Sequence, residues 1–153
     1  MSPDIITDLL FSDKKLEKKD VKLYSPLTLA FLGDAVYSLY VREMLTLTAN
    51  KPTGKLHKES IEYVNASFQA QMAKIIIPLL NNDELSVFKR GRNAHSSHAP
   101  KNQSDADYRY ATALETLYGY LFLCGDTERL SYIFKESTGG AYIEKINRDK
   151  EKT

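Results

Sequence analysis

From Leu27 to Leu47 the chain carries apolar side chains on nearly every face of a helix (Leu29, Phe31, Leu32, Val36, Tyr37, Leu39, Val41, Leu45), with one carboxylate, Asp34, in its middle. A helix with no polar stripe is buried on most of its surface, so this one is expected at the centre of the fold. An ionised carboxylate in such a place is costly unless it is paired or binds a metal. The same anomaly recurs at Glu115, set in Ala113-Leu114-Glu115-Thr116-Leu117-Tyr118-Gly119-Tyr120-Leu121-Phe122 with Thr116 as its one clearly polar neighbour.

The remaining elements follow from local signals. Asp4 to Phe11 has apolar residues at helical spacing (Ile5, Ile6, Leu9, Leu10), and the charged stretch Lys14 to Asp20 reads as a solvated connector. Ser25 followed by Pro26 makes a helix start, a capping hydroxyl ahead of proline at the first helical position. Pro52 and Gly54 mark a turn, after which a helical pattern runs from Leu56 to Leu80 with a break before Pro78. Asn81-Asn82-Asp83 can cap a short helix reaching about Arg90, and Gly91 to Gln103 reads as an exposed loop. Ser104 to Leu123 is the second strongly apolar helix, with Ser104 and Asp107 at capping-box spacing and Gly125-Asp126 as its end. Thr127 to about Phe134 and Gly140 to Asn147 supply a last helix or pair. No segment alternates as a strand does, so the expected fold is an all-α helical bundle. Residues 1–22 form an N-terminal helical segment and connector, 23–148 one domain, and 149–153 a tail.

A length of 153 residues suits one domain with one core, and 42% hydrophobic against 27% charged residues excludes wholesale disorder. The formal net charge of +1 exerts no global pull toward nucleic acid, so any such surface must come from local segregation of charge. Cys124 stands alone and cannot make an intrachain disulfide or a zinc cluster, which fits a reducing compartment. Asp4, Asp8 and Asp13 do not belong in a secretory signal, and the apolar stretches are too short or too interrupted to span a bilayer. A cytoplasmic protein without membrane contact is expected.

Taken singly, either acid could form a structural ion pair, for example with Arg42 or Arg109, or lie on a narrow wetted stripe. Together they point elsewhere. Gly33 and Ala35 flank one, Ala111 and Ala113 stand near the other, and small residues let two helices approach closely. Converging carboxylates bind a hard cation through oxygen, and magnesium keeps several waters when one or two carboxylates hold it. Such an ion activates water and stabilises charge on a phosphate. Asp105 and Asp107, two turns or more before Glu115, are better read as helix-capping residues than as further ligands.

Leu29-Ala30-Phe31-Leu32-Gly33-Asp34-Ala35-Val36 resembles the signature helix of the ribonuclease III superfamily, and Ala111 to Gly119 resembles its second acidic helix. The similarity spans roughly Tyr24 to Leu130. It implies the helical endonuclease-domain fold, with residues 23–148 as the catalytic domain. It also implies that Asp34 and Glu115 are the central acids that hold Mg2+ and position the attacking water. Where the family usually has glutamates, this chain has Ala30 and Thr112, so the metal shell is thinner and the number of ions per site stays open. That thinning, and a chain that stops where a double-stranded-RNA-binding domain would follow, lead to the expectation of the Mini-ribonuclease III branch. The implied activity is hydrolysis of double-stranded RNA to 5′-phosphate and 3′-hydroxyl ends, in maturation of the large-subunit (23S) ribosomal RNA precursor. A ribosomal protein is a further partner this reading admits.

Between Leu85 and Gln103 there is no acidic residue, while Lys89, Arg90, Arg92 and Lys101 are basic and His95 and His98 can become so. This is the charge segregation that phosphate contacts require, and Asn93 or Ser96 could reach 2′-hydroxyls. Composition alone also suits a solvated loop; the resemblance favours RNA binding. His95 and His98 lack the partners of a closed zinc site. His57, Lys58, Asn65, Gln69 and Gln71, inside the middle helices, are expected mostly to face solvent. Tyr37, Tyr40, Tyr108, Tyr118 and Tyr120 have the spacing of packing residues.

One acid pair is one hydrolytic centre, and a duplex has two strands, so a two-fold homodimer is expected. Leu27 and Phe31 mark the seam, unless Phe31 belongs to the monomer core. Two other readings compete: a catalytically silent RNA-binding protein of this fold on the ribosome, which would not need both acids, and an all-α nucleotide pyrophosphohydrolase, which would need closely spaced glutamates that neither helix carries.

Overall fold

The computed structural model describes residues 16–94 and 105–152, the side chains of residues 142–146 excepted. Over these residues the chain forms α1 (Lys18–Val21), α2 (Pro26–Thr48), α3 (Thr53–Val64), α4 (Ala66–Ile76) with a 3-10 turn at Ile77–Leu79, α5 (Asn82–Asn93), α6 (Asp105–Leu123) and α7 (Thr127–Glu151). The described residues contain no strand, and the all-α expectation holds. The N-terminal segment Asp4 to Phe11 lies outside them.

The centre is α6, not α2. From Ala111 to Leu121 every residue of α6 but Glu115 is buried, and the helix packs against α2, α5 and α4. α2 buries one face only, through Leu29, Gly33, Val36, Tyr37, Val41 and Leu45, while Phe31 stays 84% and Leu39 53% exposed. Asp34 is therefore exposed rather than buried. An apolar pattern all round a helix suggests burial on both faces, but among the described residues nothing covers Phe31 and Leu39 on the second face of α2. Phe31 is thus not a core residue of the monomer. The tyrosines behave as expected at Tyr37 and Tyr118, whose rings meet edge to face with centroids 5.6 Å apart.

The expected long helix over Leu56 to Leu80 is split at Asn65. Its side-chain amide nitrogen donates to Ile61 O and Glu62 O, both at 3.0 Å, closing α3, while its carbonyl oxygen accepts from Phe68 N at 2.9 Å and caps α4. One side chain serves two helix ends, which a periodicity reading cannot see. Ser25 does precede α2 with Pro26 in its first turn, but the Ser25 hydroxyl makes no capping bond. α5 runs on through Asn93, so Gly91 to Asn93 belong to a helix and not to the loop, and α7 is one helix rather than a pair. Gly125, with φ of 71°, ends α6 in the left-handed region that favours glycine.

α5 begins with a full capping box, Asn81 accepting from Glu84 N at 2.9 Å and Glu84 accepting from Asn81 N at 3.0 Å. Glu84 is 3% exposed, and Arg129 of α7 grips it with two guanidinium bonds of 2.8 Å while also donating to Leu79 O at 2.6 Å. Burial raises the Glu84 pKa, but these bonds outweigh it and hold the carboxyl below its usual range.

Candidate active site

Two glycines set the distance between α2 and α6. A Cβ on Gly33 would lie 1.6 Å from the Glu115 carbonyl oxygen, and one on Gly119 would lie 2.0 Å from that of Leu29. Only hydrogen fits at either point, so the two backbones touch beside Asp34 and at Glu115 itself. Of the small residues expected to permit this approach, Gly33 does so, Ala111 and Ala113 are buried, and Ala35 is exposed and has no part in it. Thr116 adds a tie across the seam, its hydroxyl lying 2.7 Å from Thr112 O and 3.2 Å from Pro26 O.

The contact places Asp34 and Glu115 on one cleft of about 330 Å³, with Gln69, Tyr108, Thr112, Leu27 and Phe31 also in its wall. Asp34 is exposed and Glu115 half-buried. Burial, then the Asp34 carboxylate, push the Glu115 carboxyl up to about 8, against a hydrogen bond from Gln69 that favours its charged form. Among the described residues neither acid has a salt-bridge partner, and Arg109 pairs instead with Asp105 at 3.0 Å. Arg42 lines a separate small cleft beside His57. Neither Arg42 nor Arg109 pairs with these acids, and Asp34, being exposed, lies on a wetted face.

Two oxygen-donor side chains on an open cleft, with no cation beside them among the described residues, fit a hard divalent ion that keeps part of its water shell. No cluster of three or more potential ligands exists among the described residues. Ala30 and Thr112 line the cleft without supplying charge, and the Thr112 hydroxyl donates to Tyr108 O at 3.0 Å within its own helix. Asp105 and Asp107 sit in the first turn of α6, where acids suit the helix N-terminus. Their expected partner Ser104 lies outside the described residues.

Lys89, Arg90 and Asn93 face a broader concavity of about 710 Å³ on the last turns of α5, bordered by Pro26. Leu27, the next residue, borders the acid cleft, so the two surfaces adjoin at the start of α2. Arg90 also serves the fold, since its guanidinium donates to Lys22 O at 2.8 Å and Tyr24 O at 3.2 Å and so holds the turn into α2. Arg92 bonds the Asn93 side chain at 3.3 Å. His95, His98 and Lys101 lie outside the described residues.

Sequence reasoning missed Gln69 and Tyr108 as cleft residues. Gln69, expected in solvent, is 3% exposed, and Gln71 is half-buried, while His57 and Lys58 do face solvent. A glutamine in a helical stretch carries no signal of its own. The clue available was its placement four residues after Asn65 and amid Phe68, Ala70 and Met72, on the apolar side of α4.

The Ribonuclease III domain family matches residues 27–126, which include both acids. The chain is similar to the Mini-ribonuclease 3 of Thermoanaerobacter sp. (strain X514), 48% identical over 122 residues that cover 80% of this chain and 86% of that protein. Similarity to the Mini-ribonuclease 3 of Clostridium tetani is 44% over 127 residues, covering 82% and 83%. With that of Synechococcus sp. it is 38% over 130 residues, covering 85% and 92%. The fold superposes on a crystal structure of a Fusobacterium nucleatum protein with a TM-score of 0.71 and 32% identity, covering 79% of this chain and 97% of that one.

Proposed function

The chain belongs to the ribonuclease III family, in its Mini-ribonuclease 3 branch, and is an endoribonuclease; from that premise we propose that it cuts double-stranded RNA as a homodimer, using magnesium held by Asp34 and Glu115. The substrate proposed is the 23S ribosomal RNA precursor in the cytoplasm, with a ribosomal protein as a further partner. No helix among the described residues is long and apolar enough to cross a membrane.

The observation that carries this reading is the meeting of Asp34 and Glu115 on one open cleft without a basic partner among the described residues. When bound, the ion supplies an activated water and offsets charge on the scissile phosphate. Asp34 offers its oxygens from α2 and Glu115 from α6, and the glycine contact between those helices fixes their separation. Lys89, Arg90, Arg92 and Asn93 contact phosphates and 2′-hydroxyls, with His95, His98 and Lys101 continuing the same basic segment. Leu27 and Phe31, exposed and on the wall of the cleft, form the two-fold seam, which brings the two centres together across a duplex.

The test compares parent and Asp34→Asn protein on a long RNA duplex and on single-stranded RNA, with magnesium or with chelator. Cleavage of the duplex alone, dependent on magnesium and on Asp34, is expected. Duplex binding without cleavage by the parent would return the silent RNA-binding reading.

A further inference from the structure

Lys22 to Tyr24 lead into α2, and α5 holds this turn from both of its own ends. The Lys22 ammonium pairs with Asp83 in the first turn of α5. Near the other end, Arg90 Nη1 donates to Lys22 O at 2.8 Å and Nη2 to Tyr24 O at 3.2 Å. Among the described residues no backbone N–H donates to either carbonyl, so the guanidinium is what ties them to the protein. Its rigid planar fork presents two nitrogens at once, one for each carbonyl.

The neighbours of Arg90 connect this tie to both working surfaces. Lys89 and Asn93 face the concavity that Pro26 borders. Gly91 lets α5 lie against α6, since a Cβ there would stand 2.4 Å from Thr116 Oγ1, and the same hydroxyl lies 3.2 Å from Pro26 O. Thr116 directly follows Glu115, and Leu27, which follows Pro26, lines the cleft with Asp34. α5, the start of α2 and the acid-bearing stretch of α6 therefore meet at one joint, and Arg90 closes it.

We propose that Arg90, beyond presenting charge to RNA, is a positioning residue: by pinning the turn before α2 to α5, it sets the register between the phosphate-holding Lys89 and Asn93 and the acids Asp34 and Glu115. This rests on the reading that a duplex is held along α5 and cut at those acids. The register decides which phosphate of a held strand lies at the acids. Misplacing the reacting group by about 1 Å costs on the order of a hundred-fold in rate even where binding is intact.

Arg90→Lys keeps the charge and replaces the fork by a single ammonium. Parent, Arg90→Lys and Lys89→Met are compared on one RNA duplex of defined sequence. The measurements are affinity and its salt dependence with chelator present, kcat at saturating duplex with Mg2+, and the cut positions mapped at the product ends. For Arg90→Lys, affinity and salt slope within about two-fold of the parent's are expected, with kcat lower by about ten- to a hundred-fold and cuts spread to neighbouring phosphates. For Lys89→Met, weaker binding and a salt slope lower by about 1 are expected, with the cut where the parent makes it. An Arg90→Lys variant with the parent's kcat and cut positions would overturn the positioning role alone, whatever its thermal stability, because a tie that serves only folding moves neither. A parent that neither binds nor cuts the duplex would overturn the function proposed above, and this role with it. If Arg90→Lys does not fold, Arg90→Gln, read by kcat and cut positions at saturating duplex, gives the same decision.

Discussion

Glu84 and Glu115 are both drawn out of water by packed helices, but their surroundings differ. Glu84 is enclosed by Arg129, the Asn81 N–H and its own helix, and its carboxyl is held below the usual range. Glu115 faces a second acid, shares its cleft with the neutral Gln69, and is pushed up to about 8. The first site is complete within the protein. The second has no cation beside it among the described residues, and it opens on the cleft. Burial alone therefore does not separate an acid that serves the fold from a candidate functional one; a cation within reach is the better guide.

The contrast is broken most severely at Arg129. Arg129→Met leaves Glu84 buried and charged without its partner, and a loss of about 3–5 kcal/mol in urea unfolding is expected. A loss under about 1 kcal/mol would show that the Asn81 N–H satisfies Glu84 by itself. The opposite behaviour is expected at the cleft. Glu115→Gln and Asp34→Asn remove repulsion between the two acids, so unfolding stability without metal should hold or rise, while cleavage falls by about a hundred- to a thousand-fold. Variants that lose stability yet keep cutting would reverse the assignment of the two sites.

pH separates the same two acids without mutation. The folded pKa of Glu84 is lowered, so its stabilisation is present above the ordinary carboxyl value near 4.5 and is lost as pH falls through the lowered value. That of Glu115 is raised, so its contribution is fully present below about 4.5 and is lost as pH rises toward about 8. Thermal unfolding of the metal-free protein between pH 5 and 8 should therefore show a decline that Glu115→Gln removes and magnesium reverses. Identical slopes for parent and variant would place the titration elsewhere.

The smallest effect is expected at the rim of the cleft, where Phe31 stands in solvent. Phe31→Ala should weaken self-association by about 2 kcal/mol, seen by sedimentation over a dilution series, with little change in monomer stability. A parent that remains monomeric throughout the micromolar range would argue against two centres acting together.

Asp34 and Glu115 were legible in the sequence because each conflicts with the apolar pattern around it. The conflict is local and needs no partner to be seen. The expected burial of Asp34 was not found: the acid lies on an exposed face, and an apolar residue left exposed on a helix looks the same in sequence as one destined for the core. The Glu84 and Arg129 pair was illegible for another reason. Both residues occupy ordinary amphipathic positions, 45 residues apart, and only the fold brings them together. Asn65 and Gln69 were missed because a single amide in a helical stretch reads as a solvated position, whereas here one divides two helices and the other turns inward.

The contact of Gly33 with the Glu115 carbonyl has a consequence for how such a chain can diverge. Because main chain meets main chain there, the spacing of the two acids does not depend on which apolar side chains fill the core around them. Leu29, Val36 or Leu117 can drift among similar volumes, and the cleft keeps its width. Gly33 and Gly119 have no such latitude. Over long descent, the interior of the protein is free to vary while these points of contact cannot.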